Sequence, residues 1–297
     1  MPALLPVPIY RQRPWGNAAL TAYGRVLPYP DTGESWELSV HPHGLSRTPD
    51  GVTLRERYPD LRLCLKLLTS SAPLSVQVHP STGPDAKTEM WLILDAAPGA
   101  FVCAGLKEPY GKDALRERIA DGTLADTLRR IPVSSGDVVF LPAGTVHTLG
   151  AGLTLAEIQQ PGDITYRLFD WGRPRELHVE QGLAVLDVMS QPILAHAAFD
   201  RPRQELPSCA WFTAEACVGD FPISGGEYGR AQLVPAVAGV PASADVHTLL
   251  FSLDTCSVTA DGETVCVPAY TTVFLPHGTS FSFRGGRVYR FTQPIMQ

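Results

Sequence analysis

One nine-residue segment occurs twice in this chain and constrains its fold more than any other feature. Val139-Phe140-Leu141-Pro142-Ala143-Gly144-Thr145-Val146-His147 returns as Val273-Phe274-Leu275-Pro276-His277-Gly278-Thr279-Ser280-Phe281. In each copy an apolar run stops at Pro, which cannot donate to a sheet ladder, and Gly then supplies a turn into a new strand. This is the tight bend of a double-stranded β-barrel, and two copies predict two related barrels in tandem. The second copy has Phe281 where the first has His147. A phenyl ring binds no metal, so the second barrel is expected to be metal-free and to support packing or assembly.

Punctuation along the chain agrees with a mostly β protein. The 27 Pro and 26 Gly of the 297 residues divide it into many short apolar runs, the pattern of sandwiches and barrels. Strands are expected at 35–40, 63–68, 74–79, 90–94, 100–104, 137–141, 153–159 and 165–169. Helices are expected at 112–119 and 124–129, split at Asp121-Gly122, and at 178–187. The Pro-bearing segment 190–207 reads as a connection, which divides the chain into a first domain of 1–190 and a second of 191–297.

Several function classes drop out. Apolar residues are 44% and charged residues 18%, unlike a disordered chain. A net charge of −6 without a Lys/Arg run leaves no electrostatic footprint for nucleic acid. No apolar segment is long enough for a bilayer. The start, Met1-Pro2-Ala3-Leu4-Leu5-Pro6, has neither the basic region nor the apolar core of a signal peptide. The six cysteines form no Cys-x-x-Cys pair and sit mostly among apolar neighbours. Buried free thiols and a cytoplasmic location are the expectation.

The chemistry concentrates in the first barrel. In Ser75-Val76-Gln77-Val78-His79-Pro80, residues two apart share a face, so Gln77 and His79 project together while Val76 and Val78 point the other way. Glu89 heads the apolar run Met90-Trp91-Leu92-Ile93-Leu94, and Lys87, two residues earlier, faces the same side. His147 follows the Pro-x-Gly-Thr bend. These N and O donors suit a zinc-type divalent ion, and a site of that kind polarises a carbonyl or alkoxide of a small oxygenated molecule. Asp163, Thr165 and Arg167 share another face, with Arg173 close behind. Arg captures phosphate or carboxylate with two parallel hydrogen bonds, although an Asp–Arg surface pair explains the pattern equally well. Lys66, alone in an apolar strand, needs an interior partner. His41 and His43 flank Pro42, which is expected to splay their rings and leave them a loop role.

Taken in order, Trp36-Glu37-Leu38-Ser39, Lys66-Leu67-Leu68, Leu74 to Pro80, Lys87-Thr88-Glu89-Met90-Trp91, Pro142 to His147 and Tyr166-Arg167 through Arg173 resemble the type I mannose-6-phosphate isomerase family in its short bacterial form. The resemblance runs from about Trp15 to about Asp187 and is only general beyond. It departs at Trp15-Gly16-Asn17, where the family often has a second glycine. It implies two tandem cupin barrels with a few short helices, and one zinc ion per chain held by Gln77, His79, Glu89 and His147. The stretch between Glu89 and His147 is too short for the large helical domain of longer members.

The implied reaction interconverts mannose 6-phosphate and fructose 6-phosphate through a cis-enediol. Lys87 is expected to have a lowered pKa and to act as base, with Asp163 and Glu89 as competitors. Arg167 is expected to hold the charged intermediate or the substrate, and Arg173, Lys66 and Ser75 to receive the phosphate. The implied partner is a small sugar phosphate, on a monomer or weak homo-oligomer. Two readings stand beside this one: a non-catalytic sugar-phosphate-binding cupin, and an iron-dependent cupin oxygenase.

Overall fold

The computed structural model describes residues 3–223 and 246–295. The stretch 224–245 of the expected second domain lies outside the described residues. The molecule is mostly antiparallel β-sheet, arranged as two cupin barrels, each a larger sheet facing a smaller one. In the first barrel the larger sheet has seven strands, in the order Ile9–Gln12, Thr32–Leu38, Cys64–Ser70, Leu153–Gln159, Glu89–Ala96, Asp137–Leu141 and Ile193–His196. The smaller runs Tyr166–Phe169, Val76–Val78, His147–Leu149, Phe101–Leu106 and Leu128–Pro132. Among the described residues the second barrel has five strands against four.

The larger first sheet is buried on both faces, and alternation along its strands decides what each face does. Leu65, Leu67, Met90, Leu92, Ala156 and Ile158 belong to an apolar cluster that also takes in Phe212, Phe251, Phe274 and Phe291 of the second barrel. The intervening residues Lys66, Trp91 and Glu157 line a cavity inside the first barrel. The two barrels therefore share one continuous core. The boundary expected at 190/191 is crossed in both directions, since Ile193–His196 extends the first sheet and Leu4 bridges to Phe274.

The smaller sheet is covered outside by helices. Helix Lys112–Ala120 buries Leu115 and Ile119, one turn apart on a single face, and helix Val179–Val185 adds Leu183. They pack on Val76, Val78 and Leu168. The first helix ends at Asp121, where Gly122 takes a left-handed φ of 79°, the usual glycine stop. The expected helix over 124–129 is corrected. Only Leu124–Thr127 makes a helical turn, of the 3₁₀ kind, and Leu128–Pro132 is an edge strand paired with Phe101–Leu106. Pro132 favours extended geometry at Ile131 and suits a strand at a sheet edge. The expected connection at 190–207 likewise contains two strands, Ile193–His196 and Arg203–Leu206.

The repeated bend forms in both barrels. Gly144 and Gly278 take φ of 87° and 76°, and strands His147–Leu149 and Phe281–Arg284 begin at the two aligned positions. Phe281 is buried in the apolar core of the second barrel. The Gly144 amide donates to the His79 carbonyl at 3.1 Å, so the bend also fixes the strand opposite. A Cβ at Gly144 would stand 3.2 Å from the Val185 carbonyl oxygen in a left-handed backbone. Gly144→Ala is expected to cost about 1–2 kcal/mol, measured as a lowered midpoint of thermal unfolding. Among the described residues no helix is long and apolar enough to cross a membrane, and five of the six thiols are buried.

Candidate metal centre and active-site cavity

Strand register brings distant residues together. On the smaller sheet Gln77 pairs with Arg167 on one side and with His147 on the other. Cross-strand partners share a face, so the three side chains form one row. On the larger sheet the row is Trp36, Lys66, Glu157 and Trp91. Glu89 lies two residues before Trp91 and therefore on the same face. The two rows look at each other across a cavity of about 440 Å³, within the ~300–1,000 Å³ common for small-molecule pockets.

His147 lines this cavity; His147, His79 and Glu89 are all buried, and their donor atoms lie within 4.8 Å of one another. His147 Nε2 stands 3.2 Å from Glu89 Oε1, and His79 Nε2 stands 3.8 Å from the same oxygen. That oxygen is buried without a hydrogen-bond donor. The outer ring nitrogens are fixed by carbonyls: His79 Nδ1 to Ile164 O at 2.8 Å, and His147 Nδ1 to Thr145 O at 2.9 Å. A carbonyl only accepts, so each Nδ1 carries the proton and each Nε2 turns a lone pair inward. Burial holds His79 well below the ordinary histidine pKa and His147 below it as well, which keeps both rings neutral as ligation requires.

Gln77 completes the group, with its Nε2 3.2 Å from His147 Nε2 and its Oε1 accepting from Ser75 Oγ at 3.2 Å. Exchanging the amide O and N turns the oxygen inward, and the Ser75 hydroxyl can then accept instead. Two neutral imidazoles, an undonated carboxylate oxygen and an amide fit a divalent ion.

Lys87 and Glu89 are set by the segment between the sheets. The Lys87 amide donates to Pro80 O at 3.0 Å and the Thr88 amide to Gln160 Oε1 at 2.9 Å. Lys87 Nζ then lies 2.7 Å from Glu89 Oε2 and 3.3 Å from Glu157 Oε1. The expected lowering of the Lys87 pKa is corrected here. Burial pulls it down, but the Glu157 and Glu89 carboxylates outweigh burial and hold it above the ordinary lysine value.

Glu157 is the residue the sequence reading missed. Its signal was available: an acid alone in the apolar run Leu153–Gln159, the same oddity as Lys66. The two face each other in register. Burial pushes the Glu157 carboxyl up to about 7, against the pull of Lys87. Trp91 Nε1 donates to its Oε2 at 3.1 Å.

The remaining expected residues divide. Ser75, Lys66, Asp163 and Arg167 line the cavity. Lys66 finds its interior partners in Glu157 at 3.9 Å, Asp163 at 3.8 Å and the Trp36 ring at 4.6 Å. Arg167 donates from Nη1 to Glu176 O at 2.6 Å, while its Nε is buried without a partner. Burial and the charges of its neighbours, Arg175 first, hold its pKa below the ordinary arginine value. Arg173 is not brought to the cavity. It pairs with Asp170 at 2.7 Å and donates to Pro73 O at 2.8 Å, while Arg175, which also pairs with Asp170 at 2.6 Å, takes the lining position. The His41 and His43 rings are not splayed, their centroids being 4.7 Å apart.

No family model matches the chain. The mannose-6-phosphate isomerase ManA of Bacillus subtilis (strain 168) is 33% identical over 252 residues, 73% of this chain and 78% of that protein. The chain belongs to the mannose-6-phosphate isomerase family. Another member, from Streptococcus mutans, is 37% identical over 202 residues, 58% of this chain and 64% of its own. For the fold, the crystal structure of the B. subtilis mannose 6-phosphate isomerase aligns with a TM-score of 0.80 at 23% identity, covering 99% of this chain and 100% of that one. The apo form of the Salmonella typhimurium mannose 6-phosphate isomerase aligns with a TM-score of 0.72 at 15% identity, over 98% and 99% of the two chains.

Proposed function

We propose that this family member interconverts mannose 6-phosphate and fructose 6-phosphate by moving a proton between C1 and C2 through a cis-enediol, with one zinc ion in the first barrel. The observation that carries the reading is the meeting of buried His79, Glu89 and His147 within 4.8 Å, with His147 lining a charged cavity. Gln77, His79, Glu89 and His147 would hold the ion. When bound, it supplies Lewis-acid polarisation of a substrate oxygen.

The chain's own groups supply the rest. Lys87, held as an ammonium, lines the cavity and neutralises charge that develops on the enediol oxygens. Glu157, 3.3 Å from that ammonium, takes the carbon proton and returns it. Its pKa near 7 matches the operating range of a general base, and this replaces the assignment of the base to Lys87. Arg167 and Arg175, both on the cavity lining, receive the phosphate, the role first given to Arg173.

Arg167→Ala is expected to raise KM about 10- to 100-fold, the worth of one charge-assisted hydrogen bond to phosphate, with a much smaller change in kcat. Arg173→Ala should leave KM near its original value. The decisive experiment is a coupled assay with mannose 6-phosphate alongside metal analysis of the purified protein. No turnover would favour a binding protein, and iron in place of zinc would favour an oxygenase.

A further inference from the structure

Asp163 is a carboxylate with two faces. Oδ1 stands 3.8 Å from Lys66 Nζ, toward the cavity. Oδ2 turns outward to a pair of imidazoles, 4.0 Å from His41 Nδ1 and 3.8 Å from His43 Nδ1. We propose that His41, His43 and Asp163 form a second divalent-metal site on the rim of the cavity, separate from the buried centre and selective for a borderline transition ion such as zinc.

The chemistry of the donor set supports this. Two imidazoles and one carboxylate are the usual three protein ligands of an open zinc site, with water in the fourth position. Ligand atoms around a tetrahedral zinc stand roughly 3.3 Å apart, and the three here lie within 4.8 Å of one another, so the group must contract to hold an ion. His43 can make that contraction, because its side chain is 77% exposed. The loop is otherwise well held. The His41 amide donates to Ser39 Oγ at 3.1 Å, and Arg11 bonds the His43 carbonyl. Burial keeps the His41 imidazole below the ordinary histidine pKa, so the ring is neutral when it meets a cation.

One feature weakens the site. His41 Nδ1 accepts a hydrogen bond from the His43 amide at 3.2 Å, which an ion must displace. The rim site is therefore the weaker of the two. Its place gives it leverage all the same. The loop that carries Asp163 also carries the Ile164 carbonyl that orients His79. An ion on the rim clamps that loop to the His41–His43 turn and draws on the charge of the carboxylate that pairs with Lys66.

Equilibrium dialysis of untagged protein against zinc chloride, with zinc measured by plasma emission, tests the proposal. Wild-type protein should take up two ions per chain, the second at least tenfold more weakly than the first. His43→Ala, a change at an exposed ring, should keep the tight ion and lose the weak one. His147→Ala should lose the tight ion and keep the weak one. A wild-type chain that saturates at one ion, or a His43→Ala variant that still binds two, overturns the rim site. A His147→Ala variant that still binds the tight ion counts against the buried centre and leaves the rim site standing.

Discussion

His147→Ala is expected to empty the buried centre of its ion and to lower turnover by roughly 10³-fold or more, the scale of losing a positioned source of charge stabilisation. His147 has three polar neighbours. Its Nε2 is 3.2 Å from both Glu89 Oε1 and Gln77 Nε2, and its Nδ1 is anchored to Thr145 O. Alanine removes one donor and leaves a buried carboxylate and a buried amide facing an empty volume. Metal content by plasma emission and the coupled isomerase assay check the result, with circular dichroism to verify folding. Full activity in a folded, metal-free variant would remove the basis of the proposed chemistry.

Glu157→Gln should keep the fold and the ion and lower kcat by about 10²–10⁴-fold, the usual contribution of a positioned base. The rate profile gives the sharper signature. In the native protein the carboxyl ionises near pH 7, so kcat/KM should rise through that pH and level off above it. Glutamine cannot ionise, and the rising limb should vanish. The sign for stability is opposite. The folded value of about 7 lies above the ordinary 4.5, so the stabilising contribution of this group is complete below about pH 4.5 and is lost as pH rises through 7. Thermal unfolding of wild type should therefore fall relative to Glu157→Gln across that interval. An unchanged rate profile in the variant would reassign the base.

Local chemistry was legible in the sequence, and long-range register was not. The Pro-x-Gly bend announces itself because the turn depends on neighbouring residues alone, which is why both barrels and the exchange of His147 for Phe281 could be read directly. Gln77 and His79 followed from strand parity. Glu157 did not, because its partner Lys66 is 91 positions away and only the pairing of two strands sets them opposite each other. The same missing carboxylate reversed the expected direction of the Lys87 pKa.

The phosphate role expected for Arg173 came from the resemblance, and the backbone turns its side chain away from the cavity. Trp171 and Gly172 both take positive φ, of 54° and 79°. The chain turns there, Arg173 folds back on Asp170, and Arg175 arrives where Arg173 was expected.

Alternation on the larger first sheet ties reactivity to the neighbouring barrel. Leu65 and Leu67 press against the phenylalanines of the partner half, while Lys66 between them faces the chemistry. Displacement at that joint tilts the whole ribbon, and with it the spacing between ammonium and carboxylate. The second barrel thus backs the surface from which Lys66 and Glu157 project, and substitutions at that joint are expected to shift the spacing between them.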